Sequence, residues 1–366
     1  MWLDGQPDVD TIIDGGDPPP NLPRFSPAGP HGEGKGDCLL GLLSGHLSAW
    51  AIAAGECVLE CIRTMTHDVR LAYSASFDLQ AVRKRLTRLP VEVVQVTTRY
   101  LTLVDAAAPG IVDGLYLVGS VALVDFCPNA SDIDFIAITH VPVSEHVRRR
   151  LAAVHRDLAT EIKEPALEGI YVTVDELKRS PLKTTGLRYH DGKLTVQEDG
   201  RSPVEWTTLA HHGVTVRGVD STELDVFVNE AELIEWTLDN LDRYWTRWIA
   251  QSKKLTSRTA LAMLTDWGVA WGVLGVSRLC YTAATGKIIS KTGAGRYALS
   301  TFPDRWRRIL EEALRCRAPR PTAPAAWQIP WRRRREAVAF MEAAVEECRV
   351  HGDARFPAPP AIGGTG

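Results

Sequence analysis

LYLVGSVALVDFCPNASDIDFIAI, residues 115–138, decides the fold. An apolar strand, Leu115–Val118, runs into Gly119-Ser120. A loop containing Pro128-Asn129-Ala130-Ser131 follows, and Asp132-Ile133-Asp134 then opens a second apolar strand. Side chains at i and i+2 of a strand share a face, so Asp132 and Asp134 present two carboxylates side by side. Beside them lies a glycine turn able to admit a phosphate. Hard oxygen anions on one edge suit Mg²⁺, which takes few protein ligands and completes its shell with water and substrate phosphates. A lone Gly-Ser or a lone Asp-x-Asp is common and structural. Two adjacent carboxylates at a strand entry repel, however, and the combination favours a cation there.

Working outward, Pro90 stands where a helix can begin, and Val93, Val96, Tyr100 and Leu103 recur at helical spacing. After the two strands, Val147, Leu151, Val154, Leu158 and Ile162 mark a helix over Ser144–Ile162. GIYVTV, Gly169–Val174, reads as a third strand. This order is an α/β pattern with a small sheet. Residues 180–205 read as a long loop or hairpin, followed by a short helix and Val214-Thr215-Val216. From Asn229, which with Glu232 forms a capping-box pattern, the texture is helical. Ile234, Leu238, Leu241, Trp245 and Trp248 form its apolar stripe. A second long helix spans about Leu261–Thr285 and stops at Gly286. Helices near Gly293–Ser300, Pro303–Arg317 and, after a proline-rich break, Trp331–Val350 complete the chain. The expected division is an extension over 1–64, an α/β domain over 88–222, an all-helical domain over 225–350 and a flexible tail over 351–366.

The 366 residues have room for two domains, and 45% hydrophobic with 24% charged residues is ordinary for a globular protein. A net charge of −3 carries no basic stripe, so no nucleic-acid partner is expected. Seven scattered cysteines argue against a disulfide framework and fit a reducing cytoplasm. Cys57 and Cys61 share a helical face without a completing zinc pair, and read as buried thiols. Residues 14–37 are dense in Gly and Pro, and residues 38–55 are uncharged. Three Gly, two Ser and a His dilute the second stretch, which favours a marginal helix over a membrane anchor. Met65 is a candidate working start.

Two carboxylates beside a phosphate-admitting turn suit nucleotidyl transfer, in which a hydroxyl attacks the α-phosphorus of a nucleoside triphosphate. Gly119 admits the phosphate, and Ser120 donates to it. Ser131 either donates to phosphate or caps its turn.

The Gly-Ser…Ser-Asp-Ile-Asp arrangement resembles the polymerase-β-like nucleotidyltransferase superfamily. The run SRLCYTAATGKIISKTGAGRYAL, residues 277–299, resembles the helical C-terminal domain of aminoglycoside adenylyltransferases of the streptomycin/spectinomycin type. The likeness covers about residues 90–350. It implies an α/β nucleotidyltransferase domain with a small mixed sheet, followed by an all-helical C-terminal domain. It further implies ATP and drug in the cleft, with Mg²⁺ as the metal and Lys291 on the ATP phosphates. The family's third carboxylate, its general base, falls on Tyr171, and a phenol is a poor base at neutral pH. Glu168 lies on the opposite face of a regular strand, and Asp175 about 13 Å further along. Asp266, Glu235 and Asp239 are candidates from across the cleft. The family's acidic drug contact falls on Gly268.

Arg278 is equally a structural ion-pair partner or a nucleotide contact. Trp267 and Trp271 are candidate stacking residues, Trp245 and Trp248 core. His211-His212 alone do not make a metal site, and Arg332–Arg335 read as a solvated helix start. The resulting expectation is a cytoplasmic, Mg²⁺-dependent adenylyltransferase acting on a hydroxyl of a small polar acceptor, an aminoglycoside or aminocyclitol first. The alternatives are AMP transfer to a protein or another natural product, or a catalytically weak nucleotide-binding homologue.

Overall fold

The computed structural model describes residues 89–351 apart from 129, 199, 255 and 319–328. The expectations for the extension, for Met65, for Cys57 and Cys61 and for the tail beyond His351 fall outside these residues. Among the described residues, no helix is long and apolar enough to cross a membrane.

Helix α1, Val91–Ala107, buries Val93, Val96, Tyr100 and Val104. The stripe thus continues through Val104, not Leu103. Strand β1, Gly114–Leu117, pairs antiparallel with β2, Ile133–Thr139. Helix α2, Glu145–Glu161, starts at Ser144, whose hydroxyl accepts from the Val147 amide. It returns the chain to β3, Leu167–Thr173, which runs parallel to β2. The 180–205 segment resolves as a hairpin of β4, Gly186–His190, and β5, Lys193–Gln197. Helix α3, Pro203–His212, leads into β6, Val214–Arg217. The sheet order is β5-β4-β3-β2-β1-β6, with β2–β3 its parallel pair and the other neighbours antiparallel. The small mixed sheet is therefore present.

Central strands β2 and β3 are apolar because both sheet faces are covered. α1 and α2 pack on the face carrying Leu117, Phe135 and Tyr171. Trp206 and Leu209 of α3 pack on the face carrying Tyr116, Ile136 and Ile170.

The helical half begins with α4, Glu230–Asn240, continued by a π-turn over Leu241–Trp245 into α5, Thr246–Lys253. The wider turn shifts the buried face to Leu233, Thr237, Leu241, Trp245 and Trp248, so Ile234 and Leu238 are only half-buried. The capping box is half formed. The Asn229 side chain accepts from the Glu232 amide, while the Glu232 carboxylate takes the Ser180 hydroxyl.

The second long helix is broken in two. A short turn, Arg258–Ala262, ends before α6, Asp266–Thr285. Thr265 caps α6, accepting from the Gly268 amide at 3.1 Å. A Cβ on Gly268 would lie 2.1 Å from the Ala262 carbonyl oxygen, so the reversal demands glycine. Gly286 ends α6 with φ +66°, as the sequence implied. Helices α7, Lys291–Thr301, α8, Arg307–Arg317, and α9, Pro330–His351, complete the bundle around α6. Arg333 and Arg334 are not solvated. They are buried, with Arg333 on Asp266, Glu312 and the Leu264 carbonyl, and Arg334 on the Ser252 and Lys254 carbonyls. Two of the four arginines at this helix start thereby pin α9 to the end of α5, to α8 and to the reversal before α6.

Candidate active site

Backbone register assembles the acidic side of the site. Because β2 and β3 are parallel, their N-terminal ends share one sheet edge, and Asp134 is the Cα partner of Glu168. Register partners point to the same face, and Asp132 shares Asp134's parity. Three carboxylates thus gather on one edge, and the Val118 amide, just past β1, donates to the Asp134 carbonyl at 3.0 Å. That bond places Gly119-Ser120 beside them. Gly119 has φ +57°, a conformation that glycine adopts without a Cβ penalty.

This corrects the assignment of the third carboxylate. Tyr171 pairs with Ala137, deeper in the sheet and on the opposite face. Its hydroxyl lies 2.8 Å from the Tyr100 hydroxyl and 2.8 Å from His155 Nε2. Burial pushes its pKa further up. It is a core residue. Asp175 is exposed on the helical turn that follows β3. Glu168, set aside because it opposes Tyr171, belongs to the acidic edge for that very reason. Its sequence signal was a carboxylate entering an apolar strand, as in Ser-Asp-Ile-Asp-Phe.

The electrostatics fit a cation site. Burial raises the Asp132 carboxyl to about 6, with Glu168 and Asp134 adding repulsion. Burial also pushes Glu168 up, but the His190 hydrogen bond and charge and the Asp191 amide outweigh it and hold it below its ordinary value.

The opposite side carries the cations. A recess of about 20 Å³ is lined by Ser120, Asp125, Ser131, Arg278, Ser290, Lys291 and Arg317, among others. Arg317, at the end of α8, donates to the Asp125 carboxylate at 3.0 Å and carbonyl at 2.8 Å. It also reaches Ser131 Oγ at 3.4 Å, and the Thr292 amide donates to the same Asp125 carboxylate at 3.1 Å. Arg278 is buried, and Asp134 and Asp125 partly offset the burial and Arg317 charge that lower it to about 10. Lys291 is lowered to about 7 by burial and by Arg317 and Arg278, against Asp132 and Asp134. The structure brings together all the predicted site residues, Gly119, Ser120, Ser131, Asp132, Asp134 and Lys291. It adds Glu168 and Arg317, the latter without a sequence signal, and sets Arg278, left open between ion pair and nucleotide contact, in the same recess.

Ser131 Oγ accepts from the Cys127 amide at 3.1 Å, so it closes its turn while facing Arg317. Ser120 Oγ is buried with no hydrogen-bond partner among the described residues.

A larger cavity, about 640 Å³, opens between the two sides and is lined by Asp132, Glu168, Asp191, Trp267, Trp271 and Lys291, among others. The two indoles stack at 5.5 Å, and the Lys291 ammonium sits 4.6 Å from the Trp271 ring centre. Asp266 borders the cavity but is already paired with Arg333 and Arg315. Asp239 pairs with Arg243 at the surface, and Glu235 is exposed away from the cavity. His211 and His212 end α3, and neither joins a cluster of metal-ligating side chains among the described residues.

Residues 250–345 match the family described as aminoglycoside adenylyltransferase, C-terminal domain. The fold is similar to a crystal structure of spectinomycin adenyltransferase AAD(9) from Enterococcus faecialis with ATP and spectinomycin. The TM-score is 0.52 and the identity 14%, over 69% of this chain and 98% of that one. No curated protein matches.

Proposed function

We propose that this chain, whose residues 250–345 match the C-terminal domain of aminoglycoside adenylyltransferases, transfers AMP from ATP to a hydroxyl of a small polar acceptor. An aminoglycoside or aminocyclitol is the first candidate. One observation carries the reading: three carboxylates on one strand edge face Lys291, Arg278 and Arg317 around two serines.

Asp132 and Asp134 would hold Mg²⁺. The donor set fits: these are hard carboxylate oxygens, and burial with repulsion from Glu168 and Asp134 raises the Asp132 carboxyl, a cost that a cation would offset. Bound there, the metal supplies Lewis-acid stabilisation of the charge on the attacking and leaving oxygens. The chain's own groups do the rest. Gly119 lets the backbone approach the triphosphate, and Ser120 and Ser131 offer hydroxyls. Lys291, Arg278 and Arg317 neutralise the β- and γ-phosphates, which leave as pyrophosphate. A triphosphate between these cations restores the Lys291 charge that its cationic neighbours suppress. Glu168 takes the acceptor's hydroxyl proton as that oxygen bonds to the α-phosphorus and the bond to pyrophosphate breaks. The acceptor occupies the cavity between Glu168 and Trp267.

A different acceptor, such as a protein side chain or another natural product, is the second reading. It is favoured by Gly268 and by the pairing of Asp266 with two arginines, which leave no unpaired carboxylate on this stretch of α6 for a cationic drug. With Glu168 on the acidic edge, the weak-homologue reading loses its motive.

Asp132→Ala and Asp134→Ala should each abolish Mg·ATP-dependent pyrophosphate release in protein that circular dichroism shows to be folded. The assay uses a panel containing streptomycin and spectinomycin. Turnover retained by both variants would sink the metal assignment.

A further inference from the structure

The hairpin after β3 ends against Glu168. β4 and β5 are joined by Asp191-Gly192, whose φ angles are +47° and +75°. Positive φ at both central residues is the type I′ hairpin turn, for which Asp-Gly is a favoured pair. The turn delivers two bonds to one carboxylate. His190 Nδ1 lies 2.7 Å from Glu168 Oε2, and the Asp191 amide donates to Glu168 Oε1 at 3.2 Å. Beyond the imidazole, Asp191 Oδ2 stands 3.3 Å from His190 Nε2, a charge contact without hydrogen-bond geometry. The Glu168 and His190 side chains are only 10% and 18% exposed. With a bond on each oxygen, the carboxylate is fixed against rotation, and each oxygen keeps a lone pair for a further donor. Asp191 and Gly192 also border the large cavity, so the same two-residue turn touches the acceptor space and holds the base.

We propose that His190, together with the Asp191 amide, is the positioning residue for Glu168. This pair of bonds aims the base at the acceptor hydroxyl, and the inference rests on Glu168 being the base. A purely structural pair would tie β3 to β4 and affect melting alone. A positioning pair affects turnover, since a reacting group displaced by about 1 Å costs about 10²-fold.

The test measures pyrophosphate release by the full chain with Mg·ATP and the streptomycin–spectinomycin panel. His190→Ala should lower kcat about 10²-fold and leave KM for ATP unchanged. His190→Asn retains a donor near the Nδ1 position and should recover most of that loss. Glu168→Gln combined with His190→Ala should be no slower than Glu168→Gln alone. Wild-type kcat in His190→Ala beside an inactive Glu168→Gln overturns this inference and spares the base. An Asn variant no faster than Ala, or a KM for ATP that rises with the loss, overturns it equally. Wild-type kcat in Glu168→Gln overturns the base and this assignment together.

Discussion

The two walls of the cleft are built by different means. The sheet wall owes its geometry to the backbone: parallel register sets Glu168 beside Asp134, and strand pleating sets Asp132 on the same face. The helical wall draws one cation from each of α6, α7 and α8, and side chains hold them in place. Its anchor, Asp125, belongs to the other half of the molecule. Each wall is unfavourable by itself. Carboxylates crowd on one, where burial raises Asp132 to about 6, and cations crowd on the other, where burial and two arginines lower Lys291 to about 7. On the proposed reading, a polyanion with its counter-ions would relieve both perturbations at once.

The sharpest way to break this comparison is Arg317→Ala. It removes a guanidinium 6% exposed from a carboxylate 12% exposed, and leaves Asp125 without its ion pair. Removing one partner of a buried pair costs about 3–5 kcal/mol, and the triphosphate loses a cation as well. Thermal unfolding should show that loss, and calorimetry at a temperature where the variant remains folded should show ATP binding weakened about tenfold, as expected for one charged hydrogen bond. Wild-type ATP affinity in the folded variant would show that the helical wall does not seat phosphate.

That contrast also separates what the sequence reveals from what it hides. Asp132 and Asp134 are two residues apart, so alternation alone put them on one face, and Gly119-Ser120 followed from the strand preceding them. Lys291 was legible through the IISK segment within a longer likeness. Glu168 was not. Its face depended on the register between two strands separated by a whole helix, and matching GIYVTV to the family's third strand put the carboxylate position on Tyr171, a poor base, leaving the base open. Arg317 was hidden for a stronger reason: its partner, Asp125, lies in the opposite half of the chain. Arg333 and Arg334 misled because four consecutive arginines look solvated, and only the reversal at Leu264 and the end of α5 at Ser252 show what their donors bind. The π-turn at Leu241–Trp245 left the Trp245 and Trp248 stripe readable but displaced its beginning by one residue.

A second test sharpens the account of the helical wall's missing acid. Gly268 stands where the resemblance calls for a drug-contacting carboxylate, which invites restoring one. The local backbone opposes this. A Cβ there would meet the Ala262 carbonyl oxygen at 2.1 Å, a contact that only movement of the 263–265 reversal could relieve. Gly268→Asp should therefore destabilise the chain by about 3 kcal/mol, the upper end for overpacking, without conferring tighter drug binding. A variant that melts like the wild type and gains turnover on spectinomycin would show that the reversal yields, and that the missing acid limited specificity.

The smallest effect tests the sheet wall from behind. His155 of α2 is 1% exposed, stacks on Tyr189 at 3.7 Å and hydrogen-bonds the Tyr171 hydroxyl. Burial lowers its imidazole to about 3. An unfolded chain protonates this histidine near 6.5, so below that pH the unfolded state binds the additional proton. The stabilisation is complete above pH 6.5 and is lost as pH falls toward the folded value. Between pH 6.5 and 5 the loss should be about 1.6 kcal/mol, the slope rising toward about 1.4 kcal/mol per unit at the acid end. His155→Gln can still bond Tyr171 but does not titrate. Denaturant midpoints measured across that interval should fall less in the variant than in the wild type. Parallel curves would place the acid sensitivity elsewhere, and the Tyr100–Tyr171–His155 network would then give the sheet packing without this pH dependence.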